Sequence, residues 1–565
     1  MYEFDAIIVG SGAGGAMAAF ALTRMGLKCL MLEAGRDYDP AAETNMTATA
    51  DQAPLRGTGT PDKPFGYFDA TINGGWQVPG EPYTVAEGSE FTWWRSRMLG
   101  GRTNHWGRHV PRFGPYDFKG FSRDGLGTDW PISYDDLAPW YDRTEQLIGV
   151  NGGHLGLENH PDSPPGILHK PATPRVPELL VAAAAKSLGI PTVLVHSAIL
   201  TRDVPHPAAP RRACFNASPC GNGCSIGAAF QTTTSLLPMA KATGRLKIIT
   251  GAMAARVVMR SANRADGIEY VDTATGQRHT VRARSVVLAA SALETTRLLL
   301  NSPSAEHPAG LANASGQLGR NITDTVGATL DAYVPGLENR PYYNEFGTSV
   351  PHMYIPFWLY KEQAAGKLDF PRGYHFELSG RFGPPSPGTL PSIGYRGYGR
   401  DLKQAIRRSY GAFFAIVQRG EMIPNAQTFA EIDPVVKDRF GIPVLRFHWH
   451  WSRHELNQVA HGMETARAIV QKMGGRVLTP DRPPEKAIGP GGLIIHEAGG
   501  ARMGSAPTQS VTNAYGQTWE VDNLVLADGA VFTSNAHKNL TLTIMALAWR
   551  SSEHLAKRLK SGELA

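Results

Sequence analysis

The sequence predicts an α/β protein: a Rossmann-type dinucleotide-binding domain joined to a second, α+β domain built on an antiparallel sheet. Three observations predict it. Residues 4–36, FDAIIVGSGAGGAMAAFALTRMGLKCLMLEAGR, run as apolar strand, glycine turn, helix, second strand and terminal acid. Text of the same style returns at 247–301 and again near the C-terminus, whereas 330–480 is rich in aromatic residues and alternates in polarity, as in PVLRFHWHWS.

Each part of the opening unit has a physical task. Gly10 permits the tight turn out of the first strand, Gly12 lets backbone approach a pyrophosphate, and Gly15 lets the helix pack closely on the sheet. The helix N-terminus then offers unpaired N–H groups and a partial positive charge to phosphate. Glu33 falls about twenty residues on, where a carboxylate accepts hydrogen bonds from a ribose. A glycine triplet alone signals only a turn; strand, helix, second strand and acid together point to a bound dinucleotide.

The rest of the chain follows in order. Residues 37–90 are polar, rich in glycine and proline and without periodicity, an extended excursion over cofactor or partner surface. WRSRMLGGRTNHWGRHVPRFGP at 94–115 combines a glycine pair with Asn104, His105 and Trp106, and residues 178–189 read as helix. KIITGAMAARVVM is a strand candidate, and RSVVLAASALETTRLLLNS reads as strand, small-residue turn and helix. Near the end, VDNLVLADGAVFTSNAHKNLTLTIMALAWRSSEHL reads as strand, DG turn, loop and long helix. The expected division is therefore discontinuous: 1–36, 91–110, 211–329 and 481–565 for the dinucleotide domain, and 111–210 with 330–480 for the substrate domain.

Bulk properties set outer limits. A chain of 565 residues exceeds one compact core, which calls for two joined domains. The net charge of +6 is small and its basic residues are dispersed, so nucleic-acid binding is not indicated. The first strand begins almost at Met1, leaving no charged leader, and no stretch has the length and apolarity of a membrane span. Export would then occur in the folded state, through a partner that bears a signal; otherwise the protein stays in the cytoplasm.

Three of the four cysteines crowd into CFNASPCGNGC as Cys214, Cys220 and Cys224, while Cys29 lies in the second strand of the fingerprint. Three thiolates suit a three-iron cluster with one sulfur per iron. Zinc would want a fourth ligand such as His196 or His206, and a disulfide would leave one thiol over.

The fingerprint, GGRTNHWG at 100–107, HEAGGARMG at 496–504 and LADGAVFTSNAHKNLTLTIMALAWR together resemble the glucose-methanol-choline (GMC) oxidoreductases. Within them GTDWPISYDDLAPWYDRTEQLIGVNG is similar to the catalytic subunits of bacterial glucoside 3-dehydrogenases, and the cysteine spacing resembles the iron–sulfur loop (213–225) of FAD-dependent sugar dehydrogenases. The resemblance implies FAD held by Gly10, Gly12, Gly15, Glu33, Gly100, Gly101, Asn104, Ala254, Asp528 and Gly529. His105 stands where pyranose 2-oxidases can bond the flavin covalently.

It also implies the chemistry. Oxidising an alcohol by hydride transfer needs a base for the hydroxyl proton, a task that suits histidine. His496 matches the family's catalytic histidine and Asn539 the second member of the pair, holding the substrate oxygen; His537 competes for that place. Tyr374, His375 and Glu377 in RGYHFELSG are candidate substrate contacts on an alternating strand. The implied reaction is oxidation of a glucopyranoside hydroxyl, at C3, to a ketone. Electrons would pass through a [3Fe-4S] cluster to a cytochrome c acceptor, with a small signal-bearing subunit as partner and the periplasm as location. A pyranose oxidase making peroxide and a non-redox FAD lyase are the competing readings.

Overall fold

The computed structural model describes residues 2–44, 52–68, 70–216, 220–341, 351–379 and 389–564. Parts of the 37–90 excursion (45–51 and 69) and the centre of the cysteine loop (217–219) lie outside the described residues.

The opening unit folds as its pattern requires, with β1 (Phe4–Val9), α1 (Ala13–Arg24) and β2 (Cys29–Leu32). β1 pairs in parallel with β2 on one side and with Arg278–Leu288 on the other, and β2 pairs in parallel with Leu246–Ile249. Leu524–Leu526 joins the far side of Arg278–Leu288, so the sheet draws strands from both ends of the sequence. Both faces are covered, and β2 is accordingly apolar and buried at every position, CLML. The single strand expected over KIITGAMAARVVM is two, Leu246–Ile249 and Ala252–Ser261, because Gly251 turns the chain at a φ of +66°. The second of them, with Arg264–Asp272 and the first half of Arg278–Leu288, forms an antiparallel meander.

A second sheet of six strands is antiparallel throughout, in the order Arg476–Val477, Val326–Tyr333, Phe413–Gly420, Tyr374–Ser379, Met353–Ile355, Val193–Leu194. Tyr374, Phe376 and Leu378 enter the apolar core shared with the helix Arg453–Lys472, whose Val459, Ala466, Ile469 and Val470 face inward. Period-two alternation then sends His375 and Glu377 to the opposite face. Tyr374, whose hydroxyl meets His461 Nδ1 at 2.7 Å, therefore points away from its two neighbours and is not a substrate contact. From the excursion, Thr84–Val85 extends the pair Phe429–Lys437 and Pro443–His448. No helix among the described residues is long and apolar enough to cross a membrane.

Candidate active site

The glycine turn leaves a cradle of defined shape. A Cβ on Gly10, whose φ is +96°, would lie 2.3 Å from the Ala289 carbonyl oxygen, and one on Gly15 would lie 2.0 Å from the Gly10 oxygen. Gly12 differs: among the described residues nothing lies within 4 Å of its missing Cβ, and the only neighbour of the one missing from Gly101 is Gly12 Cα at 3.8 Å. Gly12 is also the N-cap of α1 and offers no side-chain cap, so the first-turn N–H groups face that open space. This space and the donors around it fit the pyrophosphate of a dinucleotide.

The acids beside the cradle are held by the backbone. Glu33 Oε2 accepts from the Ser11 N–H (3.1 Å) and hydroxyl (2.5 Å), and Oε1 accepts from the Gly35 N–H (2.8 Å). Each oxygen keeps acceptor capacity for a ribose hydroxyl. Gly100 N–H donates to Ser11 Oγ at 2.8 Å, and Asn104 Nδ2 donates to the Leu99 oxygen at 2.8 Å, which ties the 100–104 turn to the fingerprint. Asp528 accepts from Ala530 N–H, Ser291 N–H and the Thr295 hydroxyl, with Gly529 starting the short 3-10 turn that follows. Burial pushes the Asp528 carboxyl up to about 6. Ala254 lies two residues beyond Ala252, whose N–H bonds the Glu33 oxygen at 2.8 Å.

His105 is engaged at both ring nitrogens. Trp94 Nε1–H donates to Nε2 at 3.0 Å, and Nδ1 lies 2.9 Å from the Ala70 oxygen. The ring is thus the Nδ1–H tautomer, and a flavin bond would have to displace one of these partners.

His496 and Asn539 come together from two loops. Thr325 Oγ1 lies 3.0 Å from His496 Nδ1, and Asn539 Nδ2 lies 3.4 Å from His496 Nε2. With an amide N–H on Nε2, the ring carries its proton on Nδ1 and turns a lone pair toward Asn539, the tautomer a base requires. Burial, then the Arg419 guanidinium, push the His496 pKa down to about 3, so the imidazole is neutral at ordinary pH. The backbone beneath is held firmly: the His496 and Ile494 N–H groups donate to the Asp324 carboxylate at 2.9 and 3.2 Å. Between them Ile495 sits at a φ of +63°, a strained setting for a β-branched residue.

His537 takes a different place. Its buried ring shows no hydrogen-bond partner at either nitrogen among the described residues and lines a 20 Å³ cavity with His109, His160, His375, Tyr354 and Phe357. That is room for about one water molecule. Its backbone oxygen accepts from His375 Nδ1. The Lys538 ammonium is taken by Asp117 (2.6 Å) and by the Asn159 oxygen (2.5 Å).

Glu377 is the residue on which several others converge. Oε1 lies 3.2 Å from His109 Nδ1, 3.8 Å from His375 Nε2 and 3.3 Å from Asn539 Nδ2, while Oε2 lies 3.2 Å from Arg419 Nε. Burial alone would raise the Glu377 pKa; Arg419 and then His109 and His375 hold it well below the usual range. His109, Thr325 and Arg419 escaped the sequence reading. His109 lies inside the singled-out stretch 94–115, where its spacing from His105 was the available signal.

The three loop cysteines share one apolar nest. Cys220 and Cys224 are buried and Cys214 half-buried among Ile199, Ala228 and Ala229, and none is in a disulfide. Burial pushes the Cys214 thiol up to about 11, with the neighbouring Cys220 and Cys224 adding to the effect. Arg108 Nη1 donates to the Cys220 oxygen at 3.1 Å while its Nη2 donates to the Asn104 oxygen at 2.9 Å, which joins the cysteine loop to the 100–104 turn. His196 Nε2 meets the Gly153 oxygen at 2.8 Å instead of a thiol.

Two sequence-family models, both described as GMC oxidoreductase, match residues 4–326 and 424–548. A 2-methyl-1,2-propanediol dehydrogenase of Mycolicibacterium austroafricanum is 30% identical over 98% of this chain and 96% of the relative. The fructose dehydrogenase large subunit of Gluconobacter japonicus is 27% identical over 99% of this chain and 98% of its own length. The solved pyridoxine 4-oxidase of Mesorbium loti has a TM-score of 0.65 at 17% identity, covering 98% of this chain and 99% of that one, a likeness of fold. Fingerprint, cradle, paired His496 and Asn539, and these matches agree: the chain belongs to the GMC oxidoreductases, FAD enzymes that act on alcohol and sugar CH–OH groups.

Proposed function

We propose that this protein is an FAD-dependent dehydrogenase that oxidises a secondary hydroxyl of a glucopyranoside, at C3, to a ketone. The observation that carries the reading is the His496–Asn539 pair, with a neutral imidazole presenting Nε2 toward the amide. Bound FAD supplies the hydride acceptor, the flavin N5. His496 takes the hydroxyl proton on Nε2, and Asn539 fixes the oxygen that loses it. Next to this pair, the His375 ring nitrogen Nε2 is suited to one of the remaining hydroxyls. The choice of C3 rests on the sequence resemblance to glucoside 3-dehydrogenases.

The proposal extends to electron exit. Cys214, Cys220 and Cys224 would hold a [3Fe-4S] cluster, which passes electrons one at a time. A single tetrahedral zinc would draw sulfur ligands to within about 4 Å of one another. Among the described residues only His109, His375 and Glu377 bring three ligand atoms within 4.8 Å, so neither His196 nor His206 completes a zinc site with the thiols. The fructose dehydrogenase relative is by name a large subunit, in keeping with a complex that includes a small signal-bearing subunit and a cytochrome c acceptor in the periplasm.

The test is low-temperature EPR on anaerobically purified protein, with the flavin absorbance followed as methyl glucoside is added. An oxidised three-iron signal that vanishes as the flavin bleaches is the expected result, with a 3-ketone by NMR. Bleaching without an iron signal, and peroxide on admitting air, would move the assignment to an oxidase. No bleaching would overturn it.

A further inference from the structure

Glu377, a candidate substrate contact on the alternating strand, is a carboxylate with one neighbour beside Oε2 and two on Oε1. Strand pairing sets Arg419 across from His375, and the guanidinium Nε reaches Glu377 Oε2 at 3.2 Å. His109, almost wholly buried, closes on Oε1 from the 94–115 stretch at 3.2 Å. Asn539 joins the cluster: one hydrogen of Nδ2 goes to Glu377 Oε1 (3.3 Å) and the other toward His496 Nε2 (3.4 Å), while Oδ1 has no partner among the described residues. The amide is therefore oriented by Glu377, because a flipped amide would set its oxygen against the carboxylate.

We propose that Glu377 is a positioning residue: its carboxylate, braced by Arg419 and His109, fixes the Asn539 amide and supplies the negative charge against which His496 takes up the substrate proton. The proposal rests on His496 as the base. In the step concerned, the hydroxyl O–H bond breaks and an N–H bond forms at His496 Nε2, leaving an imidazolium; Glu377 stays ionised throughout. Charged and titratable groups reach His496 from every side. Arg419, Glu377 and His375 come from the second sheet and Arg102 from the 100–104 turn; Glu497, bonded to Arg102 at 2.6 Å, and Asp324 lie beneath. Of the second-sheet groups, Glu377 favours the imidazolium and Arg419 opposes it.

His109, His375 and Glu377 also have the donor set of a divalent-cation site. A guanidinium beside one carboxylate oxygen and an amide N–H on the other make that a poor place for a second positive charge, and the His109–Glu377 hydrogen bond needs no ion to hold it.

Anaerobic stopped-flow reduction of the FAD-loaded enzyme by methyl glucoside tests the proposal, with flavin content and melting temperature recorded for every variant. Glu377→Gln should reduce flavin about 10–100-fold more slowly at saturating sugar, and Glu377→Asp should recover part of the loss. The wild-type rate should be flat between about pH 5 and 8. Arg419→Gln, which removes the opposing cation, should bring an acid limb up into that range, and adding Glu377→Gln should take it out again. A purely structural role would not move the limb in opposite directions. A normal limiting rate in Glu377→Gln with a raised KM, or stoichiometric metal in the purified enzyme that Glu377→Gln loses, would overturn the proposal. The base reading fails separately, if His496→Ala still bleaches at the wild-type rate.

Discussion

The dinucleotide cradle and the histidine-lined face of the second sheet differ in how much of their polar chemistry the protein already satisfies. Around the cradle, both oxygens of Glu33 and both of Asp528 accept hydrogen bonds from nearby N–H and O–H groups. Along the histidine-lined face, His109 Nε2, His375 Nε2, both nitrogens of His537 and Asn539 Oδ1 are buried with no hydrogen-bond partner among the described residues. Buried polar atoms are costly to leave unpaired, on the order of 1–3 kcal/mol each. The lesson is one of division: the first region anchors its acids on its own neighbours and leaves backbone N–H donors at an open Gly12, and the second keeps side-chain donors and acceptors in reserve for a polar ligand.

The sharpest way to break that contrast is at the glycines. Gly10→Ala puts a methyl group 2.3 Å from the Ala289 oxygen at a positive φ, and it should abolish recovery of soluble, yellow protein. Gly12→Ala meets nothing within 4 Å, so it should fold with a near-normal melting temperature yet lose flavin, read as the ratio of 450 to 280 nm absorbance. Equal behaviour of the two variants would remove the distinction between filled and open glycine.

Next in size are substitutions on the reserve side. His496→Ala should slow flavin reduction about 10²–10⁴-fold with FAD content unchanged, Asn539→Ala about tenfold, and His537→Ala should leave reduction largely intact. Collapse in the third alone would move the catalytic role across by two residues. If the proposed cluster is held there, Cys220→Ser and Cys224→Ser should lower the iron content while bleaching by sugar persists, which would separate electron exit from substrate oxidation; unchanged iron would remove the cysteines from that role.

The smallest expected effect is on stability. Burial, and then Glu497, push the Asp324 carboxyl up to about 7. Its folded form holds a proton that the unfolded chain releases near its ordinary value of about 3.9, so its contribution falls as pH rises from about 4 to 7 and is level above. Asp324→Asn should flatten that part of a melting-temperature profile; an unchanged slope would assign the dependence elsewhere.

Legibility in the sequence follows the same division. β1, α1, β2 and Glu33 lie within one short stretch, so turn chemistry and apolar spacing were enough to place them, and HEAGGARMG marked His496 by its resemblance. The cluster around Glu377 was not readable in full, because His109, Glu377, Arg419 and Asn539 are contributed by distant segments. Nothing local fixes that His375 stands opposite Arg419; it depends on the register of Tyr374–Ser379 against Phe413–Gly420. Alternation did indicate that His375 and Glu377 share a face, but not that Asn539 would reach the same carboxylate.

Gly14 in α1 sits so close to the far end of the sequence that a Cβ there would lie 1.7 Å from the Ala527 oxygen, and Phe20 packs edge-on against Trp549 at 5.4 Å. About 500 residues separate these partners, which at about 5–20 residues per second on the ribosome is roughly 25–100 s. For that interval the first helix has emerged and its final neighbour does not exist. Packing of α1 against the C-terminal segment is therefore a late event in the life of each molecule, and the face that Phe20 turns to Trp549 stays uncovered until then.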